Sequence, residues 1–233
     1  MTTISTYLKK QPFEIAGYDK STLRVMDITQ LILMLWTIGS SLTGAGSISA
    51  QIITYLLFPF YLYYAYRTRN MLMFKLILFG TSCGLLELFA DHYAVVTVDS
   101  LVYPNDEPMM WTSPLYMPFA WSNVLLQMSF LSIRLVRWTG LVSASLILSI
   151  SGGIYVFFYE NLARSAGWWF YHNAPMLYNT PYFITGAEML LFLTLPFMVL
   201  WVAGRKPVWS VVMGAIAGVW ILVAAIIAYT IAG

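Results

Sequence analysis

The sequence predicts an all-α membrane protein, a polytopic bundle of about seven transmembrane helices, and three observations lead to this fold class. Hydrophobic residues make up 60% of the 233 residues, whereas Asp, Glu, Lys and Arg together make up 9%. The mean hydropathy of +0.73 lies well outside the range of soluble globular proteins. Seven stretches also reach the roughly 20 mostly apolar residues that a spanning helix needs.

The seven expected helices form a single transmembrane domain, residues 26–233, which follows a polar amino-terminal segment, residues 1–25. This segment lacks the short apolar core and the small-residue cleavage site of a secretory signal, so the first helix is expected to stay in the membrane. The helices are expected at 26–44, 48–66, 72–98, 114–133, 139–160, 181–203 and 207–231.

Basic residues are concentrated on one side of the expected bundle. Because consecutive helices alternate in direction, Lys and Arg before helix 1 and between helices 2 and 3, 4 and 5, and 6 and 7 fall on the same side. On the other side, loop 99–113 carries no basic residue and loop 161–180 carries only Arg164. Cytoplasmic loops are rich in Lys and Arg, so the amino terminus is expected in the cytoplasm. The basic residues concerned are Lys9, Lys10, Lys20, Arg24, Arg67, Arg69, Arg134, Arg137, Arg205 and Lys206.

An acidic cluster, GLLELFADHY at 84–93, lies near the outer end of helix 3. Glu87 and Asp91 are four residues apart and share one helix face. An unpaired ionised group at membrane depth costs several kcal/mol, so acids there indicate a functional site. Gly80 and Gly84 lie on the same face and permit close helix packing, so the two acids are expected to face other helices.

Further polar residues lie at a similar depth on the neighbouring helices. Glu160 closes helix 5, and Glu188 lies about two turns into helix 6, which runs inward. These positions predict one polar cavity in the outer half of the bilayer. The stripes that would complete it are Gln51 and Tyr55 on helix 2, Tyr116, Ala120, Asn123 and Gln127 on helix 4, and Thr185 on helix 6.

The two outer loops are rich in Tyr, Trp and Pro, and each leads into the next helix through a similar motif. Ser-Pro in SPLYMPFAW and Thr-Pro in TPYFITGAE place proline in the first helical turn, where its missing N–H has no partner to lose. The helical hairpin formed by helices 3 and 4 and the one formed by helices 5 and 6 are therefore interpreted as a weak internal repeat. An interfacial aromatic belt would explain single rings, and a lid formed by 168–173 would also explain the polar residues there. Asp106 and Glu107 are expected to be solvated.

Several kinds of function are poorly supported by the residue inventory. The chain has two His and one Cys, Cys83, and they show no metal-ligand spacing. Helix 7 contains no Lys that could bind retinal, and the scattered basic residues give no nucleic-acid footprint. No metal and no cofactor are therefore expected, and the partners are a lipophilic small molecule and membrane lipid. Localisation is expected in the bacterial inner membrane or a eukaryotic endomembrane.

Acid–base chemistry on a lipophilic substrate fits the inventory best. A carboxyl in a low-dielectric site can hold the proton that it donates, and protonating an isolated C=C bond gives a carbocation that aromatic faces stabilise. Loss of a proton or attack by water then ends the reaction. The catalytic candidates are Glu87 and Asp91 as an acid pair and Glu188 as base or second acid. The substrate-binding candidates are Tyr103, Tyr116, Trp121, Asn123, Gln127, Glu160, Trp168, Trp169, Tyr171, His172, Asn173 and Tyr178.

Two segments resemble a known family. The run GLLELFADHYAV, followed by LVYPNDEPMMWTSPLYMPFAW, is similar to the integral-membrane carotenoid hydratases of the bisanhydrobacterioruberin type, and GWWFYHNAPMLYNTP resembles their second signature. Ala90, Asp91 and His92 stand where glycines are expected in that pattern. The chain is also similar, more loosely, to small membrane-integral terpene cyclases. The resemblance implies a cofactor-free isoprenoid hydratase or cyclase in which Glu87 is the principal acid.

Two other functions stay open at this point. Intramembrane acids also relay protons in transporters, so a proton-coupled carrier of a small or lipid-like solute is the main alternative. A non-enzymatic membrane subunit, docking a partner through its aromatic loops, is the other.

Overall fold

The computed structural model describes residues 15–104 and 106–233, and within these ranges the chain folds into seven long helices. Each helix is long and apolar enough to cross a membrane, which confirms the all-α bundle and fits a multi-pass integral membrane protein. Lys9, Lys10 and most of the amino-terminal segment lie outside the described residues. The helices are α1 Lys20–Thr43, α2 Ser47–Thr68, α3 Met71–His92 with a π-helical extension Tyr93–Thr97, α4 Met117–Thr139, α5 Leu141–Ala166, α6 Tyr182–Ala203 and α7 Pro207–Ala232.

Three helix ends differ from the expected boundaries by about six residues. α1 begins at Lys20, because the Asp19 side chain accepts the Thr22 backbone N–H at 2.9 Å and caps the first turn. α4 and α5 meet at Gly140 alone, and α5 ends at Ala166. Arg134 and Arg137 therefore lie in the last turns of α4. A cation there interacts favourably with the helix dipole, and the long side chain can reach the surface.

The end of the bundle that carries most basic residues is tied together by side chains from distant helices. Arg134 of α4 forms an ion pair with Asp27 of α1 at 2.7 Å. Lys75 of α3 donates to the Ala203 carbonyl at the end of α6 over 3.0 Å. Among the described residues, Arg164 is the only Lys or Arg at the other end of the bundle. This separation agrees with the charge pattern from which a cytoplasmic amino terminus is predicted.

Six two-residue strands build the opposite end, in the loops that join α3 to α4 and α5 to α6. The strands are β1 Leu101–Val102, β2 Met109–Met110, β3 Ser113–Pro114, β4 Phe170–Tyr171, β5 Met176–Leu177 and β6 Thr180–Pro181. β1 pairs antiparallel with β4 and links the two loops, while β2 pairs with β3 and β5 with β6 as hairpins. The sequence predicts only loops here, since strands this short leave no periodic pattern.

The two hairpins have the same structure, as their sequences PMMWTSP at 108–114 and PMLYNTP at 175–181 suggest. In each, the residue after the motif donates its N–H to the carbonyl of the first proline, at 2.8 and 3.1 Å. Trp111 and Tyr178 hold the same left-handed conformation, with φ of 62° and 52°. The weak repeat expected from the prolines therefore extends to backbone geometry.

Helix α3 is the centre of the bundle, because glycines let two helices approach its backbone. Gly80 and Gly84 face Ser122 and Pro118 of α4. On the other side, Gly214 and Gly218 of α7 pack directly against α3 main-chain atoms. Close packing from two sides excludes lipid from these faces. As a result the outer turns of α3, which carry the acidic cluster, point into the protein.

Candidate functional site

A cavity of about 130 Å³ lies toward the strand-bearing end of the bundle, enclosed by α3, α4, α5, α6 and α7. Four acids line it: Glu87, Asp91, Glu160 and Glu188. These are the acids whose positions along their helices predicted a common depth. The structure thus brings all three catalytic candidates, and Glu160 with them, to one chamber.

The acids in this cavity face one another without a cation. Among the described residues that line it there is no Lys, Arg or His. Glu87, Asp91 and Glu160 are buried, and the first two lie one helical turn apart on the same face of α3. An uncompensated ionised group in such surroundings costs several kcal/mol. Negative charge here has to be balanced by protons or by a cationic guest.

Two of the acids are held by aromatic donors. The Tyr103 hydroxyl donates to Asp91 Oδ2 at 2.7 Å, and Trp169 Nε1 donates to Glu160 Oε2. Burial, followed by the charge of Asp91, raises the pKa of the Tyr103 phenol well above its ordinary value, so it remains a donor at physiological pH. The Oε2 atoms of Glu87 and Glu188 are buried and have no hydrogen-bond partner within the described part of the chain. They are the carboxyl oxygens free to meet a ligand.

Aromatic rings form much of the remaining wall. Trp169 contacts the Tyr103 ring at a centroid distance of 6.3 Å, nearly perpendicular to it, and Tyr155 stacks on Tyr159 at 5.8 Å. Ring faces carry the negative end of the π quadrupole, so a wall of rings favours a positively charged guest. The aromatic residues that line the cavity are Tyr103, Trp121, Tyr155, Tyr159, Trp169, Tyr171, Phe183 and Phe192.

Four of the substrate-binding candidates lie elsewhere in the bundle. Tyr116, Asn123 and Trp168 line a smaller cavity between α2 and α4, which adjoins the acidic one. Gln127 lies one turn further along α4 and donates to the Tyr61 hydroxyl at 2.7 Å. Of the stripe expected on α4, Ala120 lines the acidic cavity, whereas Tyr116, Asn123 and Gln127 do not.

The side chains of residues 168–173, the expected lid, point in two different directions. Tyr171 points inward and Phe170 outward, as alternate residues of a strand must. The remaining loop candidates lie outside the cavity: Asn173 donates to Asp99 Oδ2 at 3.2 Å, His172 Nε2 lies 3.8 Å from Asp99 Oδ1, and Tyr178 is 79% exposed. The prediction that His172, Asn173 and Tyr178 line the cavity is wrong, since they belong to the outer surface of the loop.

Comparison with known proteins places the chain in a family. The profile of the family described as Domain of unknown function (DUF6989) matches residues 88–232. The chain belongs to this family. The segment shared with DUF6989 contains Asp91, Glu160 and Glu188 and begins directly after Glu87. Searches of curated proteins and of solved structures gave no match.

The DUF6989 segment also contains residues of the cavity that sequence reasoning missed. Tyr155 and Tyr159 are four residues apart on α5 and both face the cavity, directly before Glu160. The repeat supplies a signal that would have found this helix: Glu160 follows Gly153 by seven residues, as Glu87 follows Gly80. Gly153 packs against Met189 and Gly80 against Ser122, and each partner lies eight residues after the second proline of its hairpin motif. Glu87 and Glu160 therefore occupy equivalent positions in the two halves.

Glu107 was expected to be solvated, and this prediction is wrong. The loop folds back onto α2, so Glu107 is only 7% exposed and its Oε2 accepts a hydrogen bond from Gln51 at 3.1 Å. Tyr55, expected to line the cavity, is instead 42% exposed on the outside of α2. Burial raises the pKa of Glu107 to about 7. The hydrogen bond from Gln51 partly offsets this increase, and the nearby charge of Asp106 adds to it.

This titration predicts a pH-dependent stability of the outer loop. The folded state binds the Glu107 proton more tightly than the unfolded chain, in which the pKa is near 4.5. The stabilisation is therefore complete below that value and is lost as the pH rises to about 7. We expect a higher midpoint of thermal unfolding in detergent at about pH 5 than at about pH 8, and a smaller difference in Glu107→Gln. The same pH dependence in both proteins would show that another group is responsible.

Proposed function

We propose that this protein is a membrane-integral enzyme that protonates a lipophilic isoprenoid substrate without a cofactor and then hydrates or cyclises it. The observation that carries the proposal is the cavity itself, in which four carboxyls and eight aromatic side chains meet and, among the described lining residues, no basic group neutralises the acids. Such a chamber suits a reaction in which a proton leaves a carboxyl and a cation forms beside aromatic rings.

The chemistry assigns a role to each acid. Glu87 and Asp91 lie one helical turn apart and both line the cavity, and the hydrogen bond from Tyr103 stabilises a carboxylate on Asp91. The proton adds to one carbon of a C=C bond, and the π electrons form the new C–H bond. The positive charge on the other carbon lies among the ring faces until Glu188 or Glu160 removes a proton, or water adds.

An isoprenoid fits the apolar part of the cavity. Apart from the acids and the aromatic rings, aliphatic and small side chains line it, so the walls offer little specific recognition for a polar solute. A carboxyl shielded from water can keep its proton until an alkene carbon accepts it. The aliphatic and small residues are Ala90, Ala94, Leu101, Met117, Ala120, Val124, Val156, Ile184, Ala187, Ile221 and Ala225. The resemblance to carotenoid hydratases and terpene cyclases is in keeping with this substrate class.

Mass spectrometry of total lipids tests the proposal without knowledge of the substrate. Cells that express the protein are expected to accumulate an isoprenoid that is absent from cells with an empty vector. A mass increase of one water indicates hydration, and an isomer of unchanged mass indicates cyclisation. Identical lipid profiles in the two strains, with the protein present in the membrane fraction, would contradict an isoprenoid-converting enzyme.

A proton-coupled carrier is the second candidate, because internal structural repeats around a central site are also typical of secondary transporters. The paired hairpins and the equivalent positions of Glu87 and Glu160 give this alternative its support. Protein reconstituted in liposomes would then move a solute in response to a pH gradient. Chemical conversion of a lipid with no flux would decide in favour of the enzyme.

A further inference from the structure

The smaller cavity beside the acidic one has the size and polarity of a water site. It measures about 30 Å³ and lies between α2 and α4, and a water molecule needs roughly 10 to 15 Å³ of this kind of space. There is thus room for about two waters. A site that holds water also has to offer at least two hydrogen-bonding groups.

Two buried polar atoms supply these groups. The Tyr116 hydroxyl and Asn123 Oδ1 have no hydrogen-bond partner within the described ranges, although both residues line the small cavity and are 2% and 4% exposed. Asn123 is not free to turn away, because its Nδ2 donates to the Thr54 carbonyl at 3.2 Å. Buried polar groups without a hydrogen-bond partner are destabilising, so bound water is the occupant that satisfies them.

The small cavity borders the acidic cavity, and four side chains line both. Ala120, Val124, Tyr159 and Trp169 line both cavities. Ala120 and Val124 are one helical turn apart on α4, and their short side chains leave the least material between the two spaces. A water held by Asn123 therefore lies next to the acidic cavity, on the other side of the Ala120 and Val124 side chains.

We propose that Tyr116 and Asn123 hold a nucleophilic water and that the enzyme is a hydratase. This inference rests on the proposed function. After the carboxyl proton has added to the alkene, a lone pair of the held water forms the C–O bond to the cationic carbon. The oxonium proton passes to the carboxylate and restores the acid. One water is added in each cycle, nothing is oxidised or reduced, and the catalyst returns to its starting state.

Oxygen-18 water and two variants test the assignment. Membranes containing the wild-type protein are expected to convert an acyclic isoprenoid such as lycopene or squalene to an alcohol that carries oxygen-18. Tyr116→Phe and Asn123→Leu should still consume the substrate but release mainly the unhydrated isomer, with the labelled fraction reduced at least about tenfold, because the water loses a hydrogen bond. Tyr61→Phe, which removes a buried hydroxyl outside both cavities, should leave the labelled fraction unchanged.

The possible failures separate the two proposals. A wild-type product that is an unlabelled isomer, or equal labelling in Tyr116→Phe and wild type, overturns the water site and leaves the acid chemistry standing. Unchanged turnover in Glu87→Gln overturns the acid chemistry itself. A measurement independent of substrate is an experimental map that resolves waters: density within hydrogen-bonding distance of Asn123 Oδ1 and the Tyr116 hydroxyl is expected, and a dry or lipid-filled cavity would overturn the assignment.

Discussion

Glu87→Gln is expected to lower product formation by about 100-fold or more, the usual loss when a positioned general acid is removed. Glutamine preserves the size of the buried side chain and its place against α4 and α7, but it has no proton to donate. The Oε2 atom of Glu87, like that of Glu188, is unpaired within the described residues, so the substitution breaks no observed hydrogen bond of that atom. Turnover of substrate in isolated membranes, normalised to folded protein, gives the result.

A matched substitution controls for the loss of a negative charge. Asp27→Asn makes the same change at the basic end of the bundle, where Asp27 pairs with Arg134 and is largely exposed. We expect its turnover to stay within a few-fold of wild type, since an exposed ion pair contributes only about 0–1 kcal/mol to stability. Equal losses in the two variants would remove the special role of Glu87.

Gly218→Ala is expected to be strongly destabilising, because the added methyl group would press against the backbone of α3. An added Cβ would lie 2.6 Å from the Cys83 carbonyl and 3.2 Å from the Glu87 backbone nitrogen. Both are main-chain atoms of α3 and cannot move aside alone. Overpacking of this kind costs about 1–3 kcal/mol or more. The midpoint of thermal unfolding in detergent should fall clearly, and activity should fall with it because the contact fixes the turn that carries Glu87.

Gly39→Ala provides the contrasting case in the same protein. Gly39 lies inside α1, and among the described residues no neighbouring atom outside its own helix backbone lies within 4 Å of an added Cβ. Alanine is favoured over glycine in a helix by roughly 0.5–1 kcal/mol, so this variant should be as stable as wild type or more so. If both alanine variants were equally destabilised, the close contact between α3 and α7 would not be the reason.

The sequence was sufficient to predict the bundle because apolar length and charge placement are local properties. It also identified Glu87, Asp91 and Glu188 as members of one cavity. Because consecutive helices alternate in direction, the position of a residue along its helix indicates its depth in the membrane. Helical periodicity further gave the correct inward face of α3, where glycines accompany the acids.

The parts that could not be predicted depend on contacts distant in the chain. Glu107 is buried by Gln51, which lies on α2, and no local pattern records that the loop folds back there. β1 and β4 are two residues long and exist only because two separate loops meet. The face of α4 that carries Asn123 and Gln127 likewise points away from the acids because α4 packs against α2 and α3. The sequence alone does not distinguish these two residues from Trp121, which lines the acidic cavity.

Deuterium transfer from solvent tests the central claim most directly. If a carboxyl of the cavity protonates a C=C bond, membranes equilibrated in heavy water should form a product with one deuterium bound to carbon, located by mass spectrometry and NMR. Glu87→Gln should form this labelled product in an amount lower by about 100-fold or more, as expected when a general acid is removed. A wild-type product without carbon-bound deuterium, formed in fully exchanged membranes, would contradict protonation of the substrate by these acids.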